Sequence, residues 1–119
     1  MGSDADVEAV VATALDYYEG WFDGNAMRVG RAVHPQLANR RLVEGEKVRT
    51  ETAEQLLDAT ADGAGRKRDV PERGIEVLVE HVHGSIASAT VTSAVYVDYL
   101  HLVCVGGRWK IVNALRALA

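Results

Sequence analysis

The sequence predicts an α+β domain in which helices come first and antiparallel strands follow. Three observations carry this prediction: a helical spacing of apolar residues near the N-terminus, two capping boxes, and β-branched stretches separated by glycine turns after residue 74. Chains in which helices precede strands in this way pack the helices against a sheet. We therefore expect helices that cover one face of a curved sheet.

The first helix is predicted over residues 4–22. Its apolar residues recur at the spacing that places them on one face of a helix. They are Val7, Val10, Val11, Ala14, Leu15, Tyr18, Trp21 and Phe22. Ser3 and Asp6 have the spacing of a capping box, so the helix is expected to begin just after Ser3.

A shorter second helix is predicted after Gly24, with Asp23 or Asn25 as its cap. Pro35 limits this helix, because proline disfavours the helical conformation at the residue before it. Short strands are expected around residues 37–42 and 47–49.

A third helix is predicted after Thr52, which forms a second capping box with Gln55. Glycine and charged residues then predict a mobile loop over residues 62–72. Beyond Gly74 the chain alternates as strands do, with turns at Gly84-Ser85 and Gly106-Gly107.

The composition limits the classes of protein to which this chain can belong. Its 119 residues carry 13 Lys and Arg against 17 Asp and Glu, a formal net charge of −4. This length predicts one domain over residues 1–119, and the acidic balance lacks the basic face that nucleic acid requires. With one cysteine, no membrane-length apolar run and no secretory leader, we expect a cytoplasmic protein without a membrane partner.

Asp98 is the first candidate catalytic residue. A two-residue turn at Gly106-Gly107 places Asp98 and Asn113 on one otherwise apolar face of the last hairpin. A carboxylate there is costly unless it is paired or functional, and desolvation raises the pKa of such a group toward that of a general base. The alternative is a strand-end aspartate that reaches solvent or caps a backbone group.

Histidines supply the other candidates. His34 stands between a helix and the sheet, where side chains line the mouth of a cavity, although it can also serve as a helix cap. His101 falls on the face opposite Asp98 unless a β-bulge intervenes, and its alternative is a packing or dimer surface. His81 and His83 share a face, but two histidines alone make a poor zinc site, and we expect no metal.

The candidate binding residues are Tyr18, Trp21, Tyr96, His101 and Asn113. Tyr18 and Trp21 also fit a plain core position, although each has a polar tip that needs a partner when buried. No nucleophile elbow, phosphate loop or dinucleotide-binding glycine pattern occurs, and we expect no cofactor.

Three blocks of the sequence carry a family resemblance. They are residues 17–25 (YYEGWFDGN), 32–37 (AVHPQL), and 96–102 (YVDYLHL) leading to 107–113 (GRWKIVN). Together they resemble the putative lumazine-binding family of the nuclear transport factor 2-like superfamily. The resemblance implies a conical, cystatin-like fold: three N-terminal helices on a strongly curved, mostly antiparallel sheet, with a pocket between them.

The resemblance does not choose among functions, because the superfamily includes isomerases, cyclases, dehydratases and non-catalytic binding or assembly domains. Tyr17 or Tyr18 stands where the ketosteroid isomerases hold an oxyanion. Their catalytic aspartate has no counterpart in residues 38–42. The resemblance favours His34 together with Asp98 or His101 as the functional constellation.

Two functional hypotheses follow from the sequence. In the first, a pocket binds a compact aromatic or polyketide-like ligand, Asp98 or His34 moves a proton, and Tyr18 and Asn113 orient the ligand. In the second, the chain is a non-catalytic assembly domain that dimerises through the outer sheet face, which carries Val97, Tyr99, Val103 and Val112. We expect a homodimer under both hypotheses.

Overall fold

The computed structural model describes residues 3–119, which form three α-helices and six β-strands. The helices are α1 (Asp4–Asp23), α2 (Ala26–Ala32) and α3 (Ala53–Ala61), and a 3-10 turn spans Arg66–Arg68. The strands are β1 (Val33–Val43), β2 (Lys47–Glu51), β3 (Glu76–His83), β4 (Ile86–Thr92), β5 (Tyr96–Val105) and β6 (Arg108–Leu118). The predicted α+β class and the order of its elements are confirmed.

The helix boundaries follow the caps that the sequence predicts. Ser3 and Thr52 form capping boxes with Asp6 and Gln55, and Asn25 caps α2. Gly24 ends α1 in the left-handed conformation, with φ of 68°, which glycine adopts without a steric penalty. Each helix therefore begins just after a residue whose side chain accepts a hydrogen bond from a free backbone N–H group of the first turn.

One mixed sheet carries the strands in the order β2-β1-β6-β5-β4-β3. All neighbours are antiparallel except β1 and β6, which run parallel. β1 is longer than the predicted strand at residues 37–42, because it has β2 on one edge and β6 on the other. Pro35 lies inside β1, where the register with β6 shifts, so its missing N–H breaks no regular ladder.

The helices cover one face of the sheet, and the core lies between the two layers. The buried side chains of α1 and those of β5 and β6 form its centre; the largest are Tyr17, Tyr18, Phe22, Leu100, Leu102 and Ile111. The opposite face of the sheet, which we call the outer face, has no covering layer among residues 3–119. No helix within residues 3–119 is long and apolar enough to cross a membrane.

Candidate functional site

The centre of the candidate site is a buried ion pair between β5 and β6. Asp98 has no exposed surface, and its Oδ2 accepts hydrogen bonds from Arg116 Nε at 2.7 Å and from Tyr18 Oη at 2.6 Å. Asp98 Oδ1 is buried without a hydrogen-bond partner among residues 3–119. One carboxylate oxygen thus accepts hydrogen bonds from two donors: Arg116 on the sheet and Tyr18 on α1.

Aromatic rings surround the guanidinium of Arg116. Its carbon lies 4.0 Å from the ring centre of Tyr96 and 5.4–5.5 Å from those of Tyr17, Tyr18 and Trp21. One terminal nitrogen donates to Tyr17 Oη at 3.1 Å. The other makes no hydrogen bond with residues 3–119, so it is free to bind a group from outside the chain.

The surroundings fix the protonation states of this cluster. Burial raises the pKa of the Tyr17 and Tyr18 hydroxyls well above their usual value, and the nearby Asp98 carboxylate raises the pKa of both further. Burial acts to lower the pKa of Arg116, but Tyr17 and Asp98 outweigh it and the pKa rises. Both tyrosine hydroxyls therefore stay protonated at neutral pH, so Tyr18 can donate to Asp98, and Arg116 stays charged.

A cavity of about 610 Å³ opens beside Arg116. It lies between α1, the segment around the 3-10 turn, the β1–β2 turn and the end of β6. Its lining residues are Trp21, Arg41, Leu42, Val43, Glu44, Arg49, Ala64, Lys67, Arg68, Tyr96, Arg116, Ala117 and Leu118. This volume lies within the range of about 300–1,000 Å³ that is usual for small-molecule sites.

Of the seven predicted site residues, Trp21 and Tyr96 line this cavity. Trp21 Nε1 donates to Tyr96 Oη at 3.2 Å, which supplies the polar partner that both aromatic tips need. Tyr18 and Asp98 are buried one step behind the cavity wall, where they contact Arg116. Tyr18, Trp21, Tyr96 and Asp98 thus lie in one region of the structure, and the roles assigned to them stay predictions.

The predicted pairing of Asn113 with Leu100 is wrong. A β-bulge at Val112 inserts one extra residue in β6, so His101 pairs with Asn113 and Asp98 pairs with Arg116. Asn113 therefore lies on the outer face, 3.4 Å from His101 Nδ1, and not beside Asp98. His101 stays on the outer face, because the bulge lies in β6 and not in its own strand.

His34 does not line the cavity, and among residues 3–119 no hydrogen bond or ion pair joins it to Asp98, so the structure does not bring these two residues together. It is the second residue of β1, and its Nδ1 accepts a hydrogen bond from the backbone N–H of Gln36 at 3.0 Å. The helix ends at Ala32, so His34 bonds its own strand instead of capping the helix.

Arg116 is the functional candidate that the sequence analysis missed. The regular hairpin register placed Leu115 opposite Asp98 and turned Arg116 outward, and the bulge reverses both. The available signal was a lone arginine in the apolar run Ala114–Leu118. A charge in such a run is rarely buried without a partner, and Asp98 was the nearest unpaired acid.

A second, smaller depression of about 340 Å³ lies on the outer face. A polar row crosses four strands there, because His81 pairs with Ser88, Ser88 with His101 and His101 with Asn113. His83 lines the same depression. Among residues 3–119, no three His, Cys, Asp or Glu side chains lie close enough together to hold a metal ion.

Comparison with known structures shows the same architecture in proteins of low sequence identity. An NTF2-like protein of unknown function from Shewanella baltica has a TM-score of 0.79 at 17% identity, over 100% of this chain and 98% of that one. One from Silicibacter pomeroyi has a TM-score of 0.79 at 17% identity, over 100% of both chains. A ketosteroid isomerase-like protein from Erwinia carotovora has a TM-score of 0.65 at 11% identity, over 98% of both.

These likenesses establish the NTF2-like, cystatin-like fold and nothing finer, because the identities are too low to carry a function. A search of curated protein sequences found no match. The family model described as "Putative lumazine-binding" matches residues 5–115, which include α2, α3, all but the first residue of α1, the ion pair's Asp98 and most of β6. The chain therefore belongs to the putative lumazine-binding family of NTF2-like proteins.

Proposed function

We propose that this protein binds a small molecule in the cavity beside Arg116. The observation that carries the proposal is the guanidinium itself, which is buried, held by Asp98 and Tyr17, and left with one unbonded terminal nitrogen at the cavity wall. Trp21 and Tyr96 give the same wall two aromatic surfaces. A cavity with apolar walls and a few fixed polar groups is the usual form of a small-molecule site.

Stability alone is a weak reason for this arrangement. Replacing a buried ion pair with well-packed apolar residues of similar volume is often neutral or stabilising. A buried pair that faces a cavity is better explained as a preorganised binding group, because its charge is already desolvated and oriented. Family membership supports the same proposal, since the description of the family names ligand binding.

Asp98 and Tyr18 act as positioning residues in this proposal. Asp98 contacts Arg116 and Tyr18 but does not line the cavity. It therefore orients the guanidinium, as second-layer groups orient binding side chains in other sites. Acid–base chemistry on a compact aromatic or polyketide-like ligand is less well supported, because a general base must reach the proton that it removes.

The two tryptophans provide a direct test of small-molecule binding. Trp21 lines the cavity, and Trp109 lies in the core beside Cys104 and does not. We expect an aromatic probe, either 2-naphthoate or its neutral isostere 2-naphthamide, to shift the indole N–H NMR signal of Trp21 and leave that of Trp109 unchanged. If neither probe moves the Trp21 signal, or if both indoles respond equally, the proposal fails.

The second candidate function is a non-catalytic assembly domain that acts as a homodimer. The observation that favours it is the outer face, where Val48, Leu78, Ile86, Tyr99 and Leu115 are between 48% and 63% exposed. Apolar side chains concentrated on one sheet face usually mark an interaction surface. This candidate is compatible with the first, because the outer face and the cavity lie on opposite sides of the sheet.

A further inference from the structure

We propose that the molecule bound in the cavity beside Arg116 is an organic anion, with an apolar or aromatic body and a carboxylate or similarly small anionic group. This inference rests on the proposed small-molecule function and adds the chemical class of the ligand. It depends on the distribution of charge around the cavity, which the contacts of Arg116 alone do not show.

The cavity collects cations in a chain that is acidic overall. Five of the 13 basic residues line it: Arg41, Arg49, Lys67, Arg68 and Arg116. Of the 17 acidic residues, all of which lie in the described range, Glu44 alone lines it. The net charge of the chain is −4, so this concentration opposes the overall balance. Like charges that share a concave wall repel one another, and a bound anion relieves that repulsion.

Three separate segments bring these cations together. Arg41 and Arg49 are cross-strand partners on β1 and β2, and their side chains point to the face that carries Arg116. Lys67 and Arg68 come from the 3-10 turn. Arg116 comes from β6. Convergence of distant segments on one cavity is not explained by a local run of charge, such as the solvated loop that Arg66-Lys67-Arg68 predicts from sequence.

The cations occupy two depths. Arg49, Lys67 and Arg68 are exposed at the mouth, whereas Arg116 is 7% exposed at the inner wall. Arg41 lies between them, and its Nε is buried without a hydrogen-bond partner among residues 3–119. Its nearest acid is Glu51, whose Oε2 is 4.0 Å from the Arg41 terminal nitrogen. Two guanidinium groups that line the cavity thus each keep a donor without a partner in the described residues, and both have the planar geometry that suits a carboxylate.

The walls between the cations select an apolar body for the anion. Trp21, Tyr96, Leu42, Val43, Ala64, Ala117 and Leu118 form most of the remaining lining. Free phosphate or another small inorganic anion would leave this surface without contacts. An aromatic or branched aliphatic acid satisfies the donors and covers the apolar wall at the same time.

The test compares the affinities of 2-naphthoate and 2-naphthamide by isothermal titration calorimetry with the whole chain. The two probes have the same ring system and differ in charge. We expect naphthoate to bind at least about tenfold more tightly, which corresponds to ~1.4 kcal/mol. Raising the salt concentration is expected to weaken the binding of naphthoate and leave that of naphthamide unchanged, because mobile ions screen the exposed cations.

Charge-removing variants locate the effect. Arg49→Gln and Lys67→Gln each remove an exposed cation at the mouth and leave the buried ion pair intact, so folding is retained. We expect each to weaken naphthoate about twofold to fivefold and to leave naphthamide unchanged, as is usual for a partly screened charge. Arg40→Gln is the matched control, since Arg40 neighbours Arg41 in sequence but points to the outer face.

The outcomes separate this inference from the proposed function. If naphthamide binds as tightly as naphthoate, or if Arg40→Gln weakens naphthoate as much as Arg49→Gln, the anion inference is overturned and cavity binding stands. If neither probe binds or perturbs Trp21, the proposed function fails and the anion inference fails with it.

Discussion

The buried pair of Asp98 and Arg116 explains how one carboxylate serves both the core and the cavity. Each member needs the other, because a lone buried charge costs several kcal/mol. Tyr17 and Tyr18 supply hydrogen bonds, and Tyr96 supplies a ring face on which the guanidinium rests. The pair is therefore a single unit, and its contribution is measurable only by changing both members.

Asp98→Asn is expected to lower the free energy of unfolding by about 3–5 kcal/mol, because it leaves the Arg116 charge buried without a counterion. Asp98→Leu combined with Arg116→Met is expected to recover most of this loss. Equilibrium denaturation in urea measures both.

The control for this comparison is Asp16→Asn, which removes a half-exposed partner of Arg28 and is expected to cost about 1 kcal/mol or less. A double variant that is as unstable as Asp98→Asn, or less stable, would show that the pair is not a unit.

The sequence predicts Asp98 but not its partner, and the reason lies at the residue level. Asp98 falls on the inner face because β5 is regular over residues 96–102 and alternates buried with exposed side chains. The alternation in β6 breaks at Val112, and nothing in the local composition marks the break. Arg116 is therefore assigned to the wrong face by any reading that assumes a regular strand.

At the level of elements, the 3-10 turn depends on a close approach to α1. A Cβ atom added to Gly65 would lie 2.2 Å from the backbone oxygen of Trp21. Only glycine allows this distance, and the turn that follows carries Lys67 and Arg68 to the cavity mouth. The segment that the sequence predicts to be a mobile loop is thus packed against the first helix at Gly65.

Gly65→Ala is expected to lower the free energy of unfolding by about 1–3 kcal/mol, as overpacking usually does, and to shift the NMR signal of the Trp21 indole. Gly30→Ala is the control. Its added methyl would meet only Leu57, at 3.6 Å, and Gly30 lies inside α2, so we expect a neutral or slightly stabilising change. Equal losses in the two variants would contradict the assigned close contact.

The helices were predictable because their signals are local. Capping boxes at Ser3 and Thr52 and the apolar stripe of α1 act within a few residues of one another. The order of the strands along the chain was predictable, but their arrangement in the sheet and their register were not. The register shifts in three pairs, β1 with β6, β3 with β4 and β5 with β6, and these shifts depend on how curvature is distributed over the whole sheet.

At the level of the whole molecule, the uncovered outer face exposes apolar side chains that an assembly could bury. Tyr99 and Leu115 are cross-strand partners on it, 59% and 48% exposed. We propose that a second copy of the chain covers this face. Its half-buried valines, Val97, Val103 and Val112, would then lie in the interface.

Sedimentation velocity is expected to show a dimer at micromolar concentration, and Tyr99→Lys is expected to shift it toward monomer by placing a charge in the apolar contact. Met27→Lys is the control, because Met27 is 78% exposed on α2, on the other side of the molecule. A monomer at high micromolar concentration, or equal dissociation of the two variants, would exclude this interface.

The extra residue at Val112 decides which side chains of β6 face the cavity. Because Val112 is left out of the β5–β6 ladder, Ala114 and Arg116 face inward. If Val112 were paired in a regular ladder, Asn113 and Leu115 would take their places. Deleting Val112 would remove the bulge and leave Arg116 opposite Asp98, whereas pairing Val112 in a regular ladder would turn Arg116 outward and take one of the five cations from the cavity. Relatives that differ by one residue at this point should accordingly be compared by face, and not by aligned position, before any ligand preference is transferred between them.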